Sequence, residues 1–170
     1  MTGTPAPDYA TAMRTDRCGD LRPGDVGRQV TLCGWVDRRR EHGEHLAFID
    51  LRDRSGVVQL VVDGAHDLRS EYVLQVTGTV RERPADTANE GLATGAVEID
   101  ASEVTILAVA EPLPFPIDER TEVDEVLRLR HRYVDLMVNE DSRRVFYARS
   151  KIISAMRQYF TERDFMEVET

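Results

Sequence analysis

The stretch Val30–Val62, VTLCGWVDRRREHGEHLAFIDLRDRSGVVQLVV, holds three β-patterned runs joined by short polar links. The runs are Val30–Arg40, Ala47–Arg52 and Val57–Asp63. Glu41–His45 is polar and contains Gly43, so it reads as a loop. Arg54-Ser55-Gly56 makes the next turn, with Gly56 suited to positive φ. The segment is therefore a three-stranded meander, and whatever the chain folds into must be built around it.

The flanks extend this pattern. Arg14–Val30 is a lead-in punctuated by Pro23-Gly24 and Gly27. Gly64–Ser70 is short and helix-tolerant. Tyr72–Arg83 predicts a fourth strand, in which Gly78 marks a bulge or tight bend. After the polar loop Pro84–Gly95, Ala96–Val109 predicts a fifth strand whose phase slips near Asp100–Ser102. Five strands with a helix-length insert after the third is the order of an all-β five-stranded OB-fold barrel, here residues 14–110. Residues 1–13 read as a disordered tail. Residues 111–122, with three prolines alternating with apolar residues, read as an extended linker.

Beyond the linker, in residues 123–170, the period becomes helical. Val123–Val138 carries Val126, Leu129, Tyr133, Leu136 and Met137 at helical spacing, and Asn139–Ser142 breaks it and offers N-cap residues. Arg143–Arg163 predicts a long amphipathic helix with Ile152, Ile153, Met156 and Phe160 on its apolar side. Phe165–Thr170 returns to strand alternation.

Composition bounds the function classes. The net charge of −9 argues against a chain held on nucleic acid by bulk electrostatics. The charge is uneven: Arg14–Asp63 has nine arginines and nine acids, whereas Gly64–Ala110 has three arginines and eight acids. A nucleic-acid site would have to be local and built from the first half of the barrel. Cys18 and Cys33 lack metal-site or disulfide-framework spacing and read as two thiols packed as small hydrophobes, which suits a reducing compartment. No apolar run approaches a membrane span and no secretory signal is present, so a cytoplasmic protein without membrane contact is expected.

Three constellations could carry chemistry. Arg38-Arg39-Arg40 ends the first strand, Phe48 lies in the second and Gln59 in the third. On an OB-fold face an aromatic side chain stacks a base, an arginine contacts phosphate or a base edge, and a glutamine offers a paired donor and acceptor. The bland alternative puts Phe48 in the core and the arginines on a solvated rim, and the alternation Phe48-Ile49-Asp50-Leu51 does not decide between them. His42-Gly43-Glu44-His45 is a weak metal pair with no third ligand, better read as a solvated loop, while His66 and His131 read as structural. P-loop, Rossmann and nucleophile-elbow patterns are absent, so no catalytic or metal residue is nominated.

The phrases RTDRCGDL, VGRQVTLCGWVDRRR, FIDLRDRSGVVQ, QVTGTVRERP and ATGAVEI strongly resemble the N-terminal anticodon-binding domain of bacterial aspartyl-tRNA synthetases. The resemblance implies an ATP-dependent, magnesium-requiring ligase that charges tRNA with aspartate through an aminoacyl-adenylate. It implies an anticodon-binding set of Arg38, Arg40, His42, Phe48, Gln59, Arg83 and Asn89. Arg40, Phe48 and Gln59 fall where the central uridine is recognised. His42 falls where forms strict for the aspartate tRNA differ from forms that also accept the asparagine tRNA, and histidine there resembles the tolerant type. Residues 123–170 resemble the start of the class II α+β catalytic domain, its first helix and strand (motif 1), with wording closer to lysyl-tRNA synthetase. Motif 1 implies a homodimer interface at Ile152, Ile153, Met156 and Phe160. Motifs 2 and 3, which hold ATP, are not in the 170 residues, so the chain reads as a truncated form with no cofactor of its own, inactive alone. A stand-alone, non-catalytic tRNA or single-strand binder and a lysyl-type synthetase fragment are the rival expectations.

Overall fold

The computed structural model describes residues 13–42, 45–64, 67–84, 86–115 and 123–169, apart from the His42 side chain. The expected tail, residues 1–12 of it, and linker residues 116–122 lie outside these. The chain divides into two compact units, Met1–Glu111 and Pro112–Thr170.

The first unit is a closed five-stranded barrel. Its strands are β1 (Gln29–His42), β2 (Leu46–Asp53), β3 (Gly56–Asp63), β4 (Val73–Glu82) and β5 (Val97–Ala108). They run around the barrel in the order β1-β2-β3-β5-β4. Every pairing is antiparallel except β3 with β5, which is parallel and joins Gln59, Leu60 and Val61 to Glu98, Ile99 and Asp100. Buried and outer residues alternate along β2 and through Val80 of β4. Leu32, Val36, Ile49, Leu51, Val58, Leu60, Leu74, Val76 and Ile99 are completely buried. This is the OB-fold that the five-strand pattern predicts.

Two glycines allow the strands to approach this closely. A Cβ on Gly78 would lie 2.5 Å from the Asp100 carbonyl oxygen, and one on Gly34 would lie 2.5 Å from that of Arg52. Beside Gly78 the register slips by one residue, since Thr77 faces Glu103 but Gly78 faces Ala101. The extra residue is Ser102, whose hydroxyl donates to the Thr77 carbonyl at 3.0 Å. The bend expected at Gly78 and the slip expected near Asp100–Ser102 are one feature seen from two strands.

The lead-in segment closes one end of the barrel. A 3₁₀ turn at Cys18–Asp20 sits on the β2–β3 turn. The Cys18 N–H donates to Asp53 Oδ2 at 3.0 Å, and the Gly19 N–H donates to Ser55 Oγ at 2.7 Å. The other Asp53 oxygen accepts from the Ser55 N–H and hydroxyl and from the Gly56 N–H. Burial pushes the Asp53 carboxyl up, but these donors outweigh it and hold the group below its usual range. Gly56 has φ +147°, as a turn glycine should. Cys18 is fully buried, and burial beside Asp53 pushes its thiol far above the ordinary value, so it is inert packing.

Between β3 and β4 the described residues form bends and turns; residues 65–66, His66 among them, lie outside the description. Two expectations need correction. The helix expected over Val123–Val138 is two, α1 (Glu125–Arg130) and α2 (Arg132–Val138), broken at His131, whose φ and ψ of −113° and 53° are not helical. Residues 165–169 are not a strand. A strand exists only when its backbone pairs with another, and no described segment of this unit offers an edge.

The long helix α3 spans Glu140–Thr161, capped by Asn139, whose side chain accepts from the Ser142 N–H. Asp135, almost fully buried, accepts from Arg128, Arg132 and Ser142 and so ties α1, α2 and α3 together. The far end of α3 closes on Asp164, at φ +62°. The Phe165 N–H reaches the Phe160 carbonyl, the Asp164 N–H reaches that of Thr161, and the Phe160 and Phe165 rings meet edge-to-face at 5.5 Å. These are the bonds and the apolar contact of a Schellman ending. Among the described residues no helix is long and apolar enough to cross a membrane.

Candidate nucleic-acid interface

The face of Phe48 is settled by β2, whose burial alternates throughout, with Ala47, Ile49, Leu51 and Asp53 buried and Leu46, Phe48, Asp50 and Arg52 on the outside. Phe48 is thus an outer-face, half-buried aromatic. In register it stands between Arg40 of β1 and Val61 of β3. Asp50 stands between Arg38 and Gln59 in the same way.

A polar chain crosses this face and links all five strands. Arg40 Nη2 donates to Asp50 Oδ1 at 2.7 Å and to Gln59 Oε1 at 3.1 Å. Gln59 Nε2 donates to Glu98 Oε2 at 2.7 Å, and Arg81 Nε donates to Glu98 Oε1 at 2.7 Å. Arg83 lies alongside, its Nε 4.0 Å from Glu98 Oε2 and without a hydrogen-bond acceptor among the described residues. Gln59, Arg83 and Glu98 are all buried, at 8%, 7% and 3% exposure.

The electrostatics follow from that burial. Desolvation raises the Asp50 carboxyl against the pull of Arg40 and Arg83, and lowers the Arg83 guanidinium against the pull of Glu98 and Asp50. Arg40, Arg81 and Arg83 meet Asp50, Glu98 and Asp100 here, and the exposed Arg38 adds a fourth arginine. The patch is locally cationic on a chain of net charge −9. An Nε–H kept buried without an acceptor costs about 1–3 kcal/mol, which marks Arg83 as a group short of a partner. Gln59 is held from both sides, so its carboxamide orientation is fixed. One acceptor lone pair and one N–H remain uncommitted on it.

Of the residues nominated from sequence, the fold gathers Arg40, Gln59 and Arg83 into one network and sets Phe48 and Arg38 beside it. His42 ends β1 opposite Leu46, with its side chain outside the described residues. Asn89 is exposed in the β4–β5 loop, where its side chain accepts from the Gly91 N–H and its backbone packs against Gly95. Sequence reasoning missed Asp50, Arg81 and Glu98. Asp50 follows Phe48 by two and shares its face once the phase is known. Glu98 carried no local signal, because only the parallel β3–β5 pairing brings it opposite Gln59.

On α3, Ile153, Met156 and Phe160 line a groove of about 380 Å³ with Arg157, Thr161, Phe165, Met166 and Glu167. Ile152 lies off that groove, 59% exposed.

Comparison with known proteins places these features. Residues 30–107 match the family model described as OB-fold nucleic acid binding domain, and residues 124–170 match that of tRNA synthetases class II (D, K and N). An aspartate–tRNA(Asp/Asn) ligase of Synechococcus sp. (strain CC9605) is 50% identical over 93% of this chain. Over both matched stretches the chain is similar to the aspartyl-tRNA synthetases. The corresponding ligase of Pseudarthrobacter chlorophenolicus is 48% identical over 93% of the chain. These alignments run through the stretch whose wording resembles the lysyl enzymes, and the class II model groups the D, K and N types together. The chain spans only 28% and 26% of these two relatives.

Solved synthetases share the fold. The aspartyl-tRNA synthetase of Entamoeba histolytica superimposes with a TM-score of 0.76 at 21% identity, over 96% of this chain and 40% of that one. The asparaginyl-tRNA synthetase of Pyrococcus horikoshii, complexed with asparaginyl-adenylate, gives 0.64 at 25% identity, over 91% and 36%. Among the described residues, no group of three His, Cys, Asp or Glu side chains could hold a metal ion.

Proposed function

We propose that this chain is the anticodon-reading part of an aspartate–tRNA ligase, and that the cationic outer face of its barrel binds the anticodon loop. The observation that carries the reading is the Gln59 carboxamide, fixed between Arg40 and Glu98 with a donor and an acceptor to spare. That pair matches the Watson–Crick edge of a uracil, which offers N–H beside C=O. Phe48, on the same face, stacks the base, and Arg38, Arg40 and Arg83 meet phosphates and base edges. Phe48→Ala is expected to weaken binding of an aspartate-tRNA anticodon stem-loop by about 1–3 kcal/mol with the fold intact. Unchanged affinity, with the melting transition preserved, would remove this face from consideration.

Acceptance of the asparagine tRNA as well is favoured by the relatives named for both tRNAs and by His42 at the end of β1. Stem-loops carrying the two anticodons should then bind within about tenfold of each other, or 1.4 kcal/mol; a larger gap excludes the tolerant reading. The ATP- and magnesium-dependent ligation is proposed for a longer cytoplasmic protein that contains this chain. It would dimerise through the α3 side that bears Ile152, Ile153, Met156 and Phe160.

A further inference from the structure

The arginines of the reading face reach it because β1 carries one extra residue. Val30, Leu32 and Val36 point into the barrel and are buried. Strict alternation would send Arg38 and Arg40 inward after them, since the side-chain period of a strand is two. The register with β2 prevents this: Val36 faces Leu51, but Arg38 faces Asp50 and Arg40 faces Phe48. Asp37 is the unpaired residue, and beyond it the phase is reversed. Arg39 takes the inward phase, half-buried and paired to Glu41 at 2.6 Å.

Such a bulge must be held. On the β4 side the Val36 N–H donates to the Tyr72 carbonyl at 2.9 Å, and the Val36 carbonyl accepts from the Glu71 N–H at 2.8 Å. On the β2 side Arg52 Nε lies 3.0 Å from Asp37 Oδ1, an ion pair rather than an aligned hydrogen bond. Arg52 Nη2 then donates to both oxygens of Glu71, at 2.7 and 2.9 Å. Glu71 is buried and sits at φ +65°, a conformation that residues with a Cβ rarely adopt. Glycine would relax the backbone there. A strained carboxylate retained at such a point signals a role beyond chain reversal.

We propose that Asp37, Arg52 and Glu71 are positioning residues for nucleic-acid recognition: they lock the β1 bulge and so turn Arg38 and Arg40 onto the reading face. The inference rests on the reading of that face as the anticodon-loop site. The three side chains act through the two arginines, without touching the nucleic acid themselves.

Charge gives the test a sign. Asp37→Asn and Glu71→Gln each remove a negative charge. General electrostatics then predicts tighter binding of a polyanion, whereas loss of positioning predicts weaker binding. Affinity of the full chain for an aspartate-tRNA anticodon stem-loop, measured by fluorescence anisotropy over a salt series, separates the two. Each variant is expected to bind about three- to tenfold more weakly, with a shallower salt dependence and a melting transition showing a folded barrel. In an Arg38→Ala/Arg40→Ala background the Asp37→Asn effect should vanish, because the residues through which it acts are gone. Equal or tighter binding by a folded variant overturns the proposal, as does an effect that persists unchanged in that background. If Asp37→Asn does not fold, Glu71→Gln decides alone. Wild-type chain that fails to bind, or that binds as well after Phe48→Ala, instead overturns the reading of the face.

Discussion

The barrel and helix α3 carry similar apolar residues and treat them in opposite ways. In the barrel the inward positions of the strands are buried and form one core. In α3 none of the residues is buried, and Val145 and Phe160 are 66% and 45% exposed. A sheet that closes on itself supplies its own second face, so alternation in its strands says where each side chain goes. A helical stripe says only that a surface needs covering. What holds α3 within its unit is local: the Asn139 cap, the Asp135 hub and the Schellman ending at Asp164.

That contrast can be broken or sharpened by substitution. The largest effect is expected in the barrel, where Leu51→Ala should cost about 2–5 kcal/mol in urea unfolding, because the closed core cannot collapse around the void. Ile152→Ala on α3 should leave the same transition within about 0.5 kcal/mol. Equal losses would mean that the helix stabilises the barrel after all. Next comes Asp53→Asn, which removes a charged acceptor from the Cys18, Ser55 and Gly56 donors and should cost about 1–3 kcal/mol. Its pH dependence has a definite sign. The folded carboxyl is held below its usual value, so its contribution is complete above that value and is lost as pH falls through the depressed one. Wild type should therefore lose its advantage over Asp53→Asn below about pH 4; an advantage that grows on acidification would show the sign to be wrong.

Association should follow in size. The full chain is expected to self-associate at tens of micromolar, as about 380 Å³ of groove along α3 is lined by Met156, Phe160, Phe165 and Met166. Phe160→Asp should weaken that association at least about tenfold, or 1.4 kcal/mol, by light scattering. A chain ending at Pro112 should be a monomer; a monomeric full chain would mean that the stripe needs no cover. Smallest is Asn139→Ala, which should reduce helical signal and cost about 1 kcal/mol of α3 stability without moving the barrel transition.

How much was legible depends on whether the signal was local. Phe48, Gln59 and the arginine triplet could be nominated because they sit in recognisable runs. The face of Phe48 could not, since Phe48-Ile49-Asp50-Leu51 contains three apolar residues in four and fits either phase. The bulge at Asp37 was invisible for a related reason: its effect is to reverse the phase of Arg38–Arg40, and a charged run has no hydrophobic pattern to reverse. Gly78 announced the other bulge, because a residue without a side chain weakens a strand and belongs there mainly at a bend or a close backbone approach. Glu98 meets Gln59 only through the parallel β3–β5 pairing, 39 residues away in sequence. The Phe165–Thr170 alternation read as a strand because sequence shows a preference, not the presence of a neighbour to pair with.

The parallel contact of β3 with β5 has a consequence for kinetics. It is the short seam, three residue pairs long, by which the barrel closes, and Gln59 and Glu98 face each other across it. Contacts so distant in sequence form late, after the loops between them have been ordered. The meander of β1, β2 and β3 can assemble early and display Phe48, but the oriented carboxamide of Gln59 appears only when the last seam shuts. A nucleic acid gripping Arg40 on one side and the β5 edge on the other would act as a clasp on that seam. It should slow amide exchange at Gln59–Val61 more than in the β1–β2 ribbon, linking recognition to the opening of that seam.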